Sequence, residues 1–299
     1  MRMPLDQLQL NFNPQSLKLL NVIIGLIMFG VALDLKVDDF KRLAASPIPP
    51  LIGLIGQFIL LPALSFFWTL VLQPPPSIAL GMILIAACPG GNVSNFLTHL
   101  AKGNTALSVS LSAISTAVAL VMTPLNLTFW GRLNADTAPI LHRINLDPLE
   151  VFHTVVIILG TPLAAGMLVA YYAPQLAGRL RRPLKVFSLV FLVSFIMIIF
   201  SLNWDNFLTY VPKIWYAVFI QNGLGLWGGY VMSRVFRLPR QDARAISIEI
   251  GIQNSALGLA LIFEFFAGLG GMALVAAWWG VWHLISGLTV ALIWSKRPV

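Results

Sequence analysis

Residues 86–100 read AACPGGNVSNFLTHL, and residues 247–261 read SIEIGIQNSALGLAL. Each stretch sits inside a run of apolar residues long enough to cross a bilayer, and each is interrupted near the middle of that run. In the first, Pro89 removes a backbone donor while Gly90 and Gly91 loosen the chain. In the second, Glu249, Gly251 and the Gln253-Asn254 pair stand at the corresponding depth. Each interruption is followed by residues able to cap a restarting helix: Asn92 and Ser94 in one, Asn254 and Ser255 in the other. Both stretches therefore read as a half-helix, a break and a second half-helix.

Outward from these two, apolar stretches fall at about 17–35, 47–73, 77–101, 104–130, 149–172, 184–204, 207–234, 243–266 and 271–295, which makes nine candidate spans. A crossing needs about 20 apolar residues for about 30 Å of hydrocarbon. The stretches show no two-residue alternation of the kind a membrane β-barrel requires, so the class is an all-α polytopic membrane protein. Composition agrees. The 299 residues are 58% hydrophobic and 10% charged, against about 25% charged in soluble domains, which excludes a soluble globular enzyme. Cys88 is the only cysteine, so neither a disulfide framework within the chain nor a CxxC metal pattern exists. No HExxH, GxSxG or HxE plus PCxxC pattern occurs, and an enzyme is not expected.

The net charge of +8 does not call for nucleic acid, because Lys and Arg of a polytopic protein gather on cytoplasmic loops. With the N-terminus outside, fourteen of the nineteen Lys and Arg fall on the inner side and five on the outer side. That bias places the N-terminus outside and the C-terminus in the cytoplasm. Residues 1–16 lack a signal-peptide h-region and are expected to form an extracytoplasmic segment; 17–295 form one transmembrane unit and 296–299 a cytoplasmic tail. The interrupted spans are the third and the eighth, each third in its group of four. With the odd span 149–172 between them, the groups 17–130 and 184–295 run in opposite directions, as an inverted repeat. Paired discontinuous helices at matching places in inverted halves point to a secondary transporter with a site near the bilayer midplane.

Ten of the eleven acids lie in loops or near span ends. Glu249 lies deep in a span, where an ionisable group costs at least about 2.5 kcal/mol and marks a functional site by default. Its charge suits a hard cation with oxygen ligands; a protonated glutamate bonded between helices is the bland alternative. Ser108 and Ser112 share one helix face at i, i+4, together with Ser115 and Thr116 nearby, and could be ligands or interhelical glue. Gln57, in LIGLIGQFILLPAL, faces the same choice. His283 could touch substrate or could satisfy an interhelical bond. At the breaks, restarting half-helices offer free N–H groups and positive dipole ends to an anion, while the preceding half-helices end in carbonyls that favour a cation.

The segments CPGGNVSNFLTHLAKGNTALSVSLSAIST (88–116), EIGIQNSALG (249–258) and VWHLISG (281–287), with LIMFGVALDL (26–35) and the polar Gln57, closely resemble the signatures of the bile acid:sodium symporter family in order and spacing. The resemblance covers nearly the whole chain. It implies a core domain with two crossing discontinuous helices, a separate panel domain, and alternating access that moves an organic anion with sodium. It further implies one sodium site at Ser94, Asn95, Ser108, Ser112 and Glu249. A second would use Gln57, Glu249, Gln253 and the backbone carbonyls of Ile250 and Ile252. Asn92, Asn254 and His283 are the implied substrate contacts. Two departures stand out: nine spans where many bacterial relatives have ten, and Ser112 and Asn92 where threonine is frequent. The second of these leaves substrate identity open among steroid conjugates, pantoate-like acids and 2-oxo acids.

The expectation is thus a sodium-coupled organic anion symporter, a monomer in a cytoplasmic (inner) membrane, with two Na+ as coupling ions, no organic cofactor and no nucleic acid. Proton coupling through Glu249 is one alternative. A non-transporting receptor or scaffold that retains the fold is the other.

Overall fold

The structure, a computed structural model, describes residues 14–33, 46–91, 93–143, 148–202 and 204–298, together with Asp6. Among these residues the regular structure is helical. In chain order the helices are α1 (Pro14–Ala32), α2 (Ile48–Ile55), α3 (Leu61–Leu72), α4 (Pro76–Ala87), α5 (Val93–Leu100), α6 (Thr105–Leu133) and α7 (Ala138–Arg143). They continue as α8 (Pro148–Val155), α9 (Thr161–Tyr172), α10 (Pro174–Leu202), α11 (Trp204–Val235), α12 (Arg240–Gly251), α13 (Ser255–Phe266) and α14 (Gly270–Ser295). The runs Ile48–Leu72, Thr105–Leu133 and Gly270–Ser295 are long and apolar enough to cross a membrane; Asn21–Ala32, Pro76–Ala87 and Ser255–Phe266 are shorter apolar helices.

The end of α4 is written locally. A residue that precedes proline is biased away from helical conformation, and Cys88, before Pro89, sits at φ −72° and ψ 155°. The end of α12 has no proline behind it. Ile252 leaves the helix at φ −110° and ψ 95°, and α13 restarts behind Asn254, whose side-chain oxygen accepts the Leu257 N–H at 3.1 Å. The second break is held by the first. Gly90 pairs antiparallel with Gln253, the Gly91 N–H donates to the Ile252 carbonyl at 2.7 Å, and the Asn254 N–H donates to the Pro89 carbonyl at 2.9 Å.

Two π-turns were not anticipated. Gly56–Leu60 joins α2 to α3, and Val156–Gly160 joins α8 to α9. In each, one N–H reaches back five residues, Leu61 to Gly56 and Thr161 to Val156, and a proline follows directly, Pro62 or Pro162. A proline cannot donate to the helical ladder, and the widened turn shifts the register just ahead of it. Single π-turns of this kind are frequent at functional positions, and the first carries Gln57.

The bundle closes around α4, whose residues from Ser77 to Ala87 are all buried, in contact with α14, α6 and α3. Met82, Leu84, Phe263, Met272, Leu274 and Trp279 belong to one continuous apolar cluster there. Helix α1 packs on α9 and α10, and α11 runs along α12. Gly81 sets the approach of α4 to α14: a Cβ there would lie 2.8 Å from the Met272 Cα and 3.2 Å from its carbonyl oxygen. Because those are backbone atoms, Gly81→Ala is expected to destabilise the protein by about 1–3 kcal/mol. Gly178→Ala, with nothing within 4 Å of the new methyl, should be neutral or stabilising by up to about 1 kcal/mol. Melting temperatures of the purified variants in detergent check both.

Candidate functional site

Glu249 stands in the last turn of α12, 1% exposed. Its Oε2 accepts from Ser94 Oγ at 2.6 Å, and its Oε1 from Ser112 Oγ at 2.8 Å, with Ser112 also 3.0 Å from Oε2. Ser108 Oγ completes the ring at 3.5 Å. Asn95 Oδ1 lies 2.9 Å from Ser108 Oγ and 3.2 Å from Ser112 Oγ. The structure therefore gathers Ser94, Asn95, Ser108, Ser112 and Glu249, from α5, α6 and α12, around one point.

The local sequence explains the convergence. Ser94 and Asn95 are in the first turn of α5, so the positive end of that helix faces the carboxylate. Ser108 and Ser112 are one turn apart on α6, on the face turned to α5 and α12. Gly90 lets the broken segment come close: a Cβ at this position would collide with the Glu249 carboxylate. Three hydroxyl protons are shared among two carboxylate oxygens, one amide oxygen and the hydroxyls themselves. Oxygen lone pairs thus outnumber protons. A surplus of oxygen acceptors is the donor set of a hard cation. Among the described residues no group of three or more His, Cys, Asp or Glu forms, so the cluster has one carboxylate and otherwise neutral oxygens.

A second group adjoins the first across the break. Gln57 is 1% exposed; its amide donates to the Cys88 carbonyl at 2.8 Å and to Gln253 Oε1 at 2.7 Å. Gln253 in turn donates to the Ile250 carbonyl at 2.6 Å. Gln57, Gln253 and Ile250 are thus together, a few residues from Glu249. The Ile252 carbonyl is turned to the Gly91 N–H and belongs to the bridge between breaks.

The three implied substrate contacts fare differently. Asn92 lies outside the described residues. Asn254 caps α13 through its Oδ1, and Ser255 beside it is buried with its hydroxyl unpartnered. His283 is buried in α14 with Nδ1 lacking a hydrogen-bond partner, so it retains a group to offer.

Several buried side chains of these helices escaped sequence reading because what they bond is backbone. Thr123 donates to the Ala87 carbonyl at 2.7 Å and Asn222 to the Gly251 carbonyl at 2.7 Å. Arg244 donates to the Ala101 carbonyl at 2.8 Å, and Asn126 to the Phe58 carbonyl, in the first π-turn, at 3.0 Å. Each relieves a carbonyl freed by a helix end or a widened turn.

Comparison with known proteins bears on this geometry. The Sodium Bile acid symporter family matches residues 21–210. An uncharacterized sodium-dependent transporter, YocS, of Bacillus subtilis is 34% identical over 278 residues, 93% of this chain and 83% of its own length. A probable sodium/metabolite cotransporter of Arabidopsis thaliana, BASS1 (chloroplastic), is 32% identical, covering 92% of this chain and 66% of its own. The ileal sodium/bile acid cotransporter of Homo sapiens is 28% identical over 80% of this chain and 67% of its own length.

The hydrogen bonds around Glu249 predict a graded response. Ser112→Ala removes a hydroxyl that serves a buried carboxylate and should lower stability by about 1–3 kcal/mol, while Ser112→Thr keeps the hydroxyl and most of the stability. Ser115→Ala loses only a bond to the Ser112 carbonyl in its own helix and should cost about 1 kcal/mol or less. Denaturation followed in detergent at constant salt distinguishes the three.

Proposed function

This chain belongs to the sodium bile acid symporter family, a family of sodium-coupled transporters and not of enzymes, and from that premise we propose that it imports an organic anion with sodium by alternating access. The observation that carries the proposal is the oxygen cluster at the helix break: one buried carboxylate, three serine hydroxyls and an amide oxygen, from three helices. That set suits a small hard cation.

In this reading two sodium ions are cotransported. One is held by Ser94, Asn95, Ser108, Ser112 and Glu249; the other by Gln57, Glu249, Gln253 and the carbonyls of Ile250 and Ile252. The Ile252 carbonyl would serve while also accepting from Gly91, as a carbonyl with two lone pairs can. The anion binds beside them, where the N-terminal ends of α5 and α13 are positive, with Asn92, Asn254 and His283 as contacts. Nine spans carry this site in a cytoplasmic membrane, N-terminus outside, with the halves 17–130 and 184–295 inverted about the span 149–172. The packing of α1 on α9 and α10 supports a panel against which a core of broken helices moves. Each uncompensated sodium contributes about 2.3 kcal/mol per 100 mV to uptake, so a monocarboxylate carried with two sodium ions is driven by the potential as well as by the gradient.

The test is uptake in proteoliposomes. A thermal-shift screen of organic anions, with and without sodium, first identifies a substrate by stabilisation that requires both. Uptake of that anion should then demand sodium at fixed pH and, for a monocarboxylate, generate inward current, and Glu249→Gln should reduce it at least about tenfold. Uptake driven by a proton gradient without sodium, or full activity of Glu249→Gln, overturns the proposal.

A further inference from the structure

Gln57 has an unremarked counterpart. It lies on the helical run that precedes α4, is buried, and uses its amide to hold the carbonyl at the end of that half-helix, Cys88, at 2.8 Å. Asn222 lies on α11, the helix that precedes α12, and is 1% exposed. Its amide holds the carbonyl at the end of that half-helix, Gly251, at 2.7 Å. The spacing between amide and carbonyl is 31 residues in the first case and 29 in the second. The two carbonyls end the two half-helices whose breaks are themselves paired through Gly90 and Gln253.

The setting of Asn222 is built closely. One turn further along α11, a Cβ on Gly225 would come within 3.1 Å of the Ile250 carbonyl oxygen and 3.6 Å of the Gly251 Cα. A Cβ on Gly229 would reach 3.0 Å from the Ser247 Cα. Glycines thus bring the α11 backbone against the last turns of α12, and Ser247 returns a hydrogen bond to the Leu226 carbonyl. Asn222 is fixed at the terminus that carries Glu249 and Ile250. Its other polar atom, Oδ1, is buried and has no hydrogen-bond partner. An acceptor buried without a partner is costly. Here the covalent geometry of the amide pins that oxygen beside a helix C-terminus already rich in carbonyls. Such an oxygen is one that a hard cation can use.

We infer that Asn222 is a further positioning residue of the cation site: its N–H fixes the carbonyl end of α12 and its free oxygen adds to the oxygen environment that sodium meets there. The inference rests on the sodium-coupled reading above. Residues of this kind, one step behind the direct ligands, set affinity by about 10–100-fold.

The experiment is thermal stability of the full-length protein in detergent, titrated with sodium chloride against potassium chloride at constant ionic strength. Wild type should be stabilised by sodium specifically, and Glu249→Gln should abolish that effect. Asn222→Ala should raise the sodium concentration for half-maximal stabilisation about 10–100-fold. Asn222→Leu, which keeps the branched side-chain skeleton of asparagine but is bulkier and apolar, removes both the amide donor and the orphaned oxygen without opening a cavity. It leaves the Gly251 carbonyl without its donor and should melt below wild type in potassium, and, read against that potassium baseline, it should show the same weakened sodium response. Asn134→Ala, which loses a buried bond to Thr69 at 3.1 Å, is the control for destabilisation alone and should keep the wild-type sodium midpoint. If both Asn222 variants keep that midpoint while wild type responds normally, the role of Asn222 is structural and this inference falls. If wild type shows no sodium-specific stabilisation, the sodium reading falls and this inference with it.

Discussion

The backbone freed at two helix breaks must be paired inside the protein, and the rest of the structure is arranged to meet that demand. A helix end leaves carbonyls on one side and N–H groups on the other, and a membrane interior supplies no water to satisfy them. Here the breaks satisfy each other in part, through Gly91 with Ile252 and Asn254 with Pro89. The remaining carbonyls are distributed among side chains of the surrounding helices: Ala87 to Thr123, Cys88 to Gln57, Ile250 to Gln253 and Gly251 to Asn222. A site of oxygen acceptors and a scaffold for broken helices are thus the same set of residues seen from two sides. The carboxylate of Glu249 fits this economy because the positive first turn of α5 and three hydroxyls face it.

Those features that depend on local chemistry were legible in the sequence. Pro89 with Gly90 and Gly91 announces the first break, since a residue before proline is biased away from helical conformation and two glycines follow it, and Cys88 is extended in keeping with that bias. The i, i+4 spacing of Ser108 and Ser112 put both on one face, and the structure turns that face to Glu249. Asn254 was readable as a cap because capping needs only a neighbour three residues ahead. The family resemblance brought in Ser94, Asn95, Gln57 and Gln253, which spacing alone did not link to the carboxylate.

Other features left no local trace. The π-turn at Gly56–Leu60 depends on how a helix absorbs Pro62, and a proline alone specifies a kink, a break or a bulge equally well. Thr123 and Asn222 read as isolated polar residues in apolar spans, and their partners are carbonyls 36 and 29 residues away. A backbone carbonyl carries no sequence signature, so a side chain whose role is to hold one becomes visible only when the chain is folded. Arg244 shows the same in a cation that read as a topological marker: it is 4% exposed and holds the end of α5 through the Ala101 carbonyl. Its charge reports orientation and its donors shape the fold.

The unequal origin of the two breaks has a consequence for coupling. The first is favoured by its own sequence, Pro89 followed by Gly90 and Gly91. The second has no proline, and residues 252–254 keep their conformation through partners at residues 89–91. Glu249, three residues before that segment, is in turn positioned by Ser94 of α5 and Ser112 of α6. Anything bound among these oxygens joins chain segments more than a hundred residues apart and favours the paired state of the breaks. By linkage, the paired state favours the bound ligand by the same free energy. Occupancy of the oxygen cluster and the pairing of residues 89–91 with 252–254 are therefore one equilibrium, and the helix ends that flank this pairing are set by it.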